Sequence, residues 1–322
     1  MHKWKKKLEK GAIIFIFSIL FFSFFMCISD ISIAKNNNIL YVGRPGFGNY
    51  TLIQNAIDNS SNNDTIIVYP GTYNESILIN KSINLVGIDK NTTIVEGYKR
   101  LYIFFIKSSH VNITNFTITK GKMGIYISGA DYSYINISRN IITENSEGIR
   151  VYNSSNNIIS KNNFIRNSDR ALVFFESKNN KIINNYFFDS IKSFILGRWS
   201  NNNIIKNNNF TENSIAIGLD YSNHNNITYN YIGGGAFGLS LEYSNNNNIS
   251  NNIIVKNKNY GIYLKNSDNN IINANNYSKN YIDVKIMGKP PSIKTPDISI
   301  IYAIFTIFLI FYIKNKLFKK QL

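Results

Sequence analysis

Residues 244–252 read SNNNNISNN, a tract that composition alone would file as low-complexity filler. It is one copy of a repeating device. Rows beginning at Gly148, Ala171, Phe194, Ala216, Gly238 and Gly261, 22 or 23 residues apart, read GIRVYNSSNNIISKNNF, ALVFFESKNNKIINNYF, FILGRWSNNNIIKNNNF, AIGLDYSNHNNITYNYI, GLSLEYSNNNNISNNII and GIYLKNSDNNIINANNY. The seventh column is always Ser (Ser154, Ser177, Ser200, Ser222, Ser244, Ser267) and the tenth always Asn (Asn157, Asn180, Asn203, Asn225, Asn247, Asn270). The twelfth is always Ile (Ile159, Ile182, Ile205, Ile227, Ile249, Ile272) and the fifteenth always Asn (Asn162, Asn185, Asn208, Asn230, Asn252, Asn275). The second is apolar throughout, with Ile195 filling it in the third row, and the seventeenth is large and apolar or aromatic. Base composition supplies many Asn residues, but it does not put them in register.

A period of this length marks a solenoid or array. Within each row apolar residues alternate and β-branched Ile dominates, which predicts short strands and no amphipathic helix. Three strands per turn, broken by Ser and Asn corners, predict an all-β, right-handed parallel β-helix with 22–24-residue rungs. The Asn columns are expected to hold the corner conformations that Asn tolerates better than most residues. Their amides are expected to hydrogen-bond from rung to rung, about 4.8 Å apart.

Upstream the pattern loosens. YIFFIKSSHVNITNFTI (102–118) keeps Ser108 but has Phe116 in the second Asn column, and GIYISGADYSYINISRNII (124–142) carries two extra residues. TLIQNAID (51–58) predicts a short capping helix with Leu52, Ile53, Ala56 and Ile57 inward, covering strand edges that would otherwise pair with other chains. At the far end residues 281–288 are the only candidate cover.

The chain has 322 residues and a net charge of +16. Half of that excess flanks two apolar segments: residues 1–10 hold five Lys and one Glu, and 314–320 hold four Lys. The remainder is scattered, with no basic cluster and no nucleic-acid motif, so nucleic acid is not an expected partner. GAIIFIFSILFFSFFMCI (11–28), with Ser32 and Ala34 after it, has the order of a secretory signal, and it is also long enough for an uncleaved anchor. ISIIYAIFTIFLIFYI (298–313), followed by Lys314, Lys316, Lys319 and Lys320, predicts a C-terminal transmembrane helix with a cytoplasmic basic tail. KPPSIKTPD (289–297) predicts a stiff stalk. The expected organisation is therefore a signal peptide or anchor at 1–34, an outward-facing β-helix domain at 35–288, the stalk, and a membrane helix with its tail at 298–322. Cys27, the single cysteine, lies in the first apolar run and excludes an intrachain disulfide.

DTIIVYPGTYNESILINKSINLVG (64–87), with TLIQNAID before it and NTTIVEG (91–97) after it, resembles the opening of NosD-like right-handed parallel β-helix proteins. These belong to the broad pectin-lyase-like group and are frequent on archaeal cell surfaces. The resemblance covers about residues 38–288. It implies the fold, whereas the functions it implies are spread over lyases, glycosidases, surface proteins and an accessory factor for a copper enzyme. TPDISIIYAIFTIFLIFYIKNK (295–316) resembles the sorting tails of archaeal surface proteins, with Pro296-Asp297-Ile298 where those carry Pro-Gly-Phe.

No cofactor is expected. Copper sites want His, Cys or Met, but His2, His110 and His224 are far apart in the repeat and the Met residues do not cluster. VGRPGFG (42–48) lacks the Gly-Lys-Ser/Thr of a phosphate loop and reads as a plain turn. Asn-x-Ser/Thr occurs about fourteen times in the exported region, as at Asn74, Asn91, Asn112, Asn136, Asn209, Asn226 and Asn276, and surface-facing copies are candidate glycan acceptors.

Columns five and six hold the candidate site. Column five runs Tyr152, Phe175, Arg198, Asp220, Glu242, Lys265, and column six Asn153, Glu176, Trp199, Tyr221, Tyr243, Asn266. Exposed together at a corner, they form a strip in which Glu176, Trp199, Tyr221 and Tyr243 offer ring faces and carboxylates to a sugar. Asp220 and Glu242, with Arg198 beside them, are the catalytic candidates, spaced as a retaining glycosidase would need. The alternative is purely structural: Arg198 over Asp220 and Glu242 over Lys265 as cross-rung ion pairs. The functional expectation is a membrane-anchored surface module, structural or in contact with cell-surface polysaccharide or other envelope proteins. The alternatives are a carbohydrate-active enzyme and an accessory factor for metalloenzyme assembly.

Overall fold

The computed structural model describes residues 37–46, 49–98, 100–129 and 132–288. The N-terminal signal or anchor, the Pro-rich stalk and the C-terminal membrane helix with its tail lie outside the described residues, as do His2 and Cys27. No helix among the described residues is long and apolar enough to cross a membrane.

Each turn of the chain adds one short strand to each of three parallel sheets of 11, 10 and 10 strands. The result is an all-β, right-handed parallel β-helix of about 11 turns. Ile159, Ile182, Ile205, Ile227 and Ile249 are direct register partners in the 11-stranded sheet and form one buried interior column. The second sheet sends in Ile142, Phe164, Phe187, Phe210, Ile232 and Ile254. There the rings of Phe164, Phe187 and Phe210 stack at 4.6 Å spacing, within 5° of parallel. The third sheet, with strands of up to six residues, contributes two interior columns, one through Ile149, Leu172, Phe194, Ile217, Leu239 and Ile262. Each fully buried aliphatic or aromatic side chain stabilises by roughly 1.5–3 kcal/mol, and none of these columns exists without the turn above and below.

The third row corrects the sequence alignment. Phe194, not Ile195, faces the core, opposite Leu172 and Ile217, while Ile195 points outward. The corner before this strand is one residue short, and the corner after it carries the additional residue as Gly197-Arg198. The two changes cancel within one turn, so spacing alone conceals them.

The Asn columns are ladders, as expected. Asn162, Asn185, Asn208, Asn230, Asn252 and Asn275 form an unbroken series in which the backbone N–H and Nδ2 of each donate to Oδ1 of the next, at 2.9–3.2 Å. Each amide also donates back to the preceding turn, for example Asn185 Nδ2 to Ile159 O at 2.8 Å and Asn208 Nδ2 to Ile182 O at 2.9 Å. One side chain therefore ties three turns together. The series Asn157, Asn180, Asn203, Asn225, Asn247 and Asn270 makes the same forward links, with the bond back to the preceding turn at Asn203, Asn247 and Asn270. The Ser column hydrogen-bonds in two runs, Ser154 to Ser177 to Ser200 and Ser222 to Ser244 to Ser267, interrupted where the Ser200 N–H turns back to Gly197 O.

The conformational role assigned to these Asn columns is corrected. The left-handed backbone sits one residue earlier, at Asn156, Asn179, Asn202, His224, Asn246 and Asn269 in one corner and at Lys161, Asn184, Asn207, Tyr229, Asn251 and Ala274 in the next. Column six is likewise left-handed throughout, with φ between 47° and 60°. Left-handed φ costs a non-Gly residue roughly 1–2 kcal/mol. Here the inward polar residue that follows repays it, because the corner swings its amide or hydroxyl under the next turn. A further inward column at the fourth corner, Asn145, Asn167, Ser190, Asn213, Gly235, Asn257 and Asn280, is only partly a ladder: Asn145 to Asn167, Ser190 to Asn213 and Asn257 to Asn280 are joined, and the links at Asn167–Ser190 and around Gly235 are missing.

The helix Ile53–Asn59 covers the N-terminal end with Ile53, Ala56 and Ile57 buried; Leu52 is the N-cap and is 46% exposed, not inward. Glu75 in the first full turn accepts the N–H groups of Ile53 and Gln54 at 2.8 and 2.9 Å, and Lys81 Nζ donates to Ile57 O, Asp58 O and Ser60 O. An anion at the helix start and a cation at its end suit the helix dipole. At the other end residues 281–288 are not a cover: Ile282–Met287 is the last strand of the third sheet, with Tyr281, Ile286 and Met287 exposed.

Candidate functional site

Column five is the outward end of the third sheet's strands. Asp220 and Glu242, then Glu242 and Lys265, are direct register partners on adjacent parallel strands, so their side chains leave the wall side by side about 4.8 Å apart. Column six follows at the corner, and its left-handed backbone throws each side chain outward. Tyr221 and Tyr243 stack with ring centroids 4.7 Å apart and 10° between planes, and both are about two-fifths exposed. The two carboxylates and the two stacked rings thus form one edge of the third sheet.

Arg198 and Trp199 join this edge imperfectly. The additional residue at Gly197-Arg198 shifts the corner, so that the Trp199 N–H donates to Tyr221 O, whereas the Tyr221 N–H donates to Glu242 O. Trp199 is 58% exposed and has no ring partner among the described residues. Glu176 is half-buried in the turn below, at φ 53°.

The structural alternative is realised in half. Lys265 Nζ lies 3.4 Å from Glu242 Oε1, an exposed pair of small worth. Arg198 makes no ion pair with Asp220 within 4 Å, although it bears on that carboxyl electrostatically. Burial pushes the Asp220 carboxyl above its ordinary range, Arg198 pulls it down, and Glu242 pushes it up again. A carboxyl that holds its proton more tightly, with a second carboxylate on the adjacent strand, is the kind of group that general-acid work uses.

The outer face of the third sheet, beside this edge, carries features that the row columns do not single out. Glu147 receives Arg150 through Nε and Nη2 at 2.6 Å each, and Arg170 Nη1 at 2.7 Å. Ring clusters flank that charged patch: Phe105 stacks on Tyr126 at 5.2 Å at one end, and Phe237, Tyr260 and Tyr263 lie within 6.1 Å of one another at the other. Phe105, Tyr126, Arg150 and Tyr263 alternate with inward residues and were readable as such, whereas Glu147, Arg170, Phe237 and Tyr260 stand three residues before that outward column, out of the period-2 pattern.

The residues present do not fit copper. Among the described residues no group of three His, Cys, Asp or Glu side chains converges. His110 stacks on Tyr134 at 5.1 Å and His224 stands five turns further along the same ridge, about 24 Å away.

A family model described as "Periplasmic copper-binding protein (NosD)" matches residues 57–236, more than half of the chain, and one described as "Right handed beta helix region" matches residues 190–289. Among curated proteins, none matches. Among solved structures, the mannuronan C-5 epimerase AlgE6 A-module of Azotobacter vinelandii superposes with a TM-score of 0.50 at 14% identity, covering 74% of this chain and 95% of that one. The enzymatically active domain of tailspike protein 2 of bacteriophage CBA120 superposes with a TM-score of 0.58 at 14% identity, covering 79% of this chain and 47% of that one. At these identities the likeness is one of fold.

Proposed function

The chain belongs to the NosD family of right-handed β-helix proteins, and on that premise we propose that it is a membrane-anchored, outward-facing surface module whose Tyr221–Tyr243 edge contacts a glycan. The observation that carries this reading is the exposed, parallel stack of two phenol rings beside two outward carboxylates. Ring faces take the C–H side of a sugar and carboxylates accept its hydroxyls; the carboxylates end two adjacent strands and the rings stand at the corners that follow directly. The family description names copper, but the described residues supply no ligand set for it, and no step is assigned to a metal.

Anchoring and outward orientation rest on the two apolar segments with basic flanks at 11–28 and 298–313. Protease added to intact cells then cleaves the β-helix domain from outside while the basic tail stays protected; the reverse pattern overturns the orientation. For the glycan, the full-length protein is applied to a polysaccharide array, with Tyr221→Ala/Tyr243→Ala as the comparison. Binding that the double variant loses supports the reading, and a folded protein that binds no polysaccharide removes it.

The raised Asp220 carboxyl beside Glu242 favours a second reading, glycan cleavage at the same edge. Any polysaccharide-cleaving activity must then vanish in Asp220→Asn/Glu242→Gln; unchanged activity rules this site out.

A further inference from the structure

The fourth corner, where the second sheet passes into the third, varies in length. Between the inward aromatic or Ile residue and the small inward residue that opens the next strand, three successive turns use five residues, 188–192, 211–215 and 233–237. The turns on either side use six, 165–170 and 255–260. Three short corners between two longer ones leave an indentation of about 350 Å³, walled by Ser168 on one side and Lys258 on the other and floored by Asp189, Ser190, Glu212 and Gly234.

We propose that this indentation binds a single neutral hexose-sized sugar residue. It lies across the third sheet from the Tyr221–Tyr243 edge, on the same three turns, and does not depend on that edge.

Four observations converge on it. Asp189 and Glu212 occupy left-handed positions on adjacent turns, φ 52° and 57°, about one strand spacing apart. Glu96 faces Lys120, Glu144 faces Arg166, Glu147 faces two arginines and Glu242 faces Lys265, whereas Asp220 and Glu176 on the opposite edge stand outside any ion pair among the described residues. Asp189 and Glu212 have no cation partner among the described residues either, and stacked like charges are unfavourable.

The next turn withdraws its side chains. Gly234 takes the third left-handed position at φ 79°, and Gly235 replaces the inward Asn, with its backbone so close that a Cβ would come within 2.0 Å of Asn213 O. Only glycine fits there, and the space in front of it stays open. Ser190, which lines the same indentation, is 5% exposed and its Oγ has no hydrogen-bond partner; Asn257 Oδ1 in the same inward column has none either. Buried polar atoms are seldom left unpaired.

The chemistry required of a ligand follows. Two carboxylates only accept, Lys258 only donates, and Ser168 and Ser214 do both. A ring bearing several hydroxyls satisfies all of them, and the exposed Ile191 with the half-buried Ala236 offers an apolar surface to its C–H face. The volume suits a small ligand. A calcium ion would want six to eight oxygens, and no cluster of three acidic or imidazole ligands is present among the described residues.

The test is saturation-transfer NMR on the full-length protein with glucose, mannose and galactose as probes. Transfer to at least one sugar is expected, with affinity at least about tenfold weaker in Asp189→Asn/Glu212→Gln, the worth of one hydrogen bond to a charged group. Ser214→Trp, which fills the indentation from an exposed position without touching the carboxylates, is expected to abolish it. Tyr221→Ala/Tyr243→Ala is expected to leave it unchanged, which separates this site from the glycan edge. No transfer to any of the three sugars overturns the proposal, as does transfer undiminished in both indentation variants. Thermal stabilisation by calcium chloride with no response to sugar also overturns it, in favour of a cation site.

Discussion

Two corners of the same turn are built on one plan and end differently. At the corner of Asn162, Asn185, Asn208, Asn230, Asn252 and Asn275 every link is made, and the amide of each turn is held by the next. At the fourth corner Ser190 and Gly235 interrupt the inward Asn series, three five-residue corners stand between two of six, and the wall is indented. The complete ladder fixes the corner's geometry because each side chain must reach two neighbouring turns at once. Where a shorter side chain or none stands in the column, that constraint lifts, and the corner can be recessed and charged. Regularity at one corner supplies the rigidity that permits irregularity at the other.

The largest effect should come from cutting the complete ladder. Asn208→Ala removes the acceptor of the Asn185 backbone N–H and of one of its two amide N–H groups, the other still donating to Ile159 O, and the side-chain donor to the Ile182 carbonyl. At roughly 1–3 kcal/mol per stranded group, a loss of about 3 kcal/mol or more is expected from denaturant unfolding of the full-length chain. Asn213→Ala, the same change at the interrupted corner, removes the partners of the Ser190 N–H and the Phe187 carbonyl beside a recess that water reaches, while the Thr211 carbonyl keeps the Asp189 N–H. It is expected to cost about 1–2 kcal/mol. Equal costs would break the comparison.

Ser190→Asn should act in the opposite direction. It offers an acceptor to the Asn167 backbone and amide, as Asn185 does for Asn162, and should stabilise by about 1 kcal/mol. A destabilised variant would show that the column is interrupted for packing reasons. The smallest effect is electrostatic. The folded Asp220 carboxyl binds its proton more tightly than the unfolded one, so between the ordinary Asp range and its raised value the folded state holds more protons and stability falls as pH rises. Glu96, lowered chiefly by its hydrogen bond to Lys120, works the other way: its contribution is present above the ordinary Glu range and is lost as pH falls through its lowered value. Asp220→Asn should remove the first slope and leave the second in urea midpoints measured across acid pH.

The interior was legible because it is periodic. Ile159, Ile182 and Ile205 recur at near-constant spacing, and a column of identical residues can only stack or scatter. The ladder hydrogen bonds followed from the same recurrence. What the sequence hid was offset by one residue: Phe194 and Ile195 are both apolar, so the composition of the column was the same in either register. The left-handed positions were hidden for a related reason. Lys161, Tyr229 and Ala274 share no side-chain chemistry, and only the backbone unites them. Of the candidate edge, the pairing of Asp220 with Glu242 and the nearness of Tyr221 to Tyr243 were readable from spacing, whereas the displacement of Trp199 depends on a one-residue insertion balanced elsewhere in its turn. The indentation opposite was readable only as a count of corner lengths, a quantity that matters once the inward residues on both sides are known.

The left-handed residues carry a last consequence. Their backbone does the work of turning the chain while their side chains point away from everything the fold depends on, which is why Asn, Lys, His, Tyr, Glu, Asp and Ala all occur there. The molecule therefore bears four lengthwise ridges of interchangeable characters at a fixed pitch, and a new pattern of recognition can be written along any of them without disturbing the stack beneath.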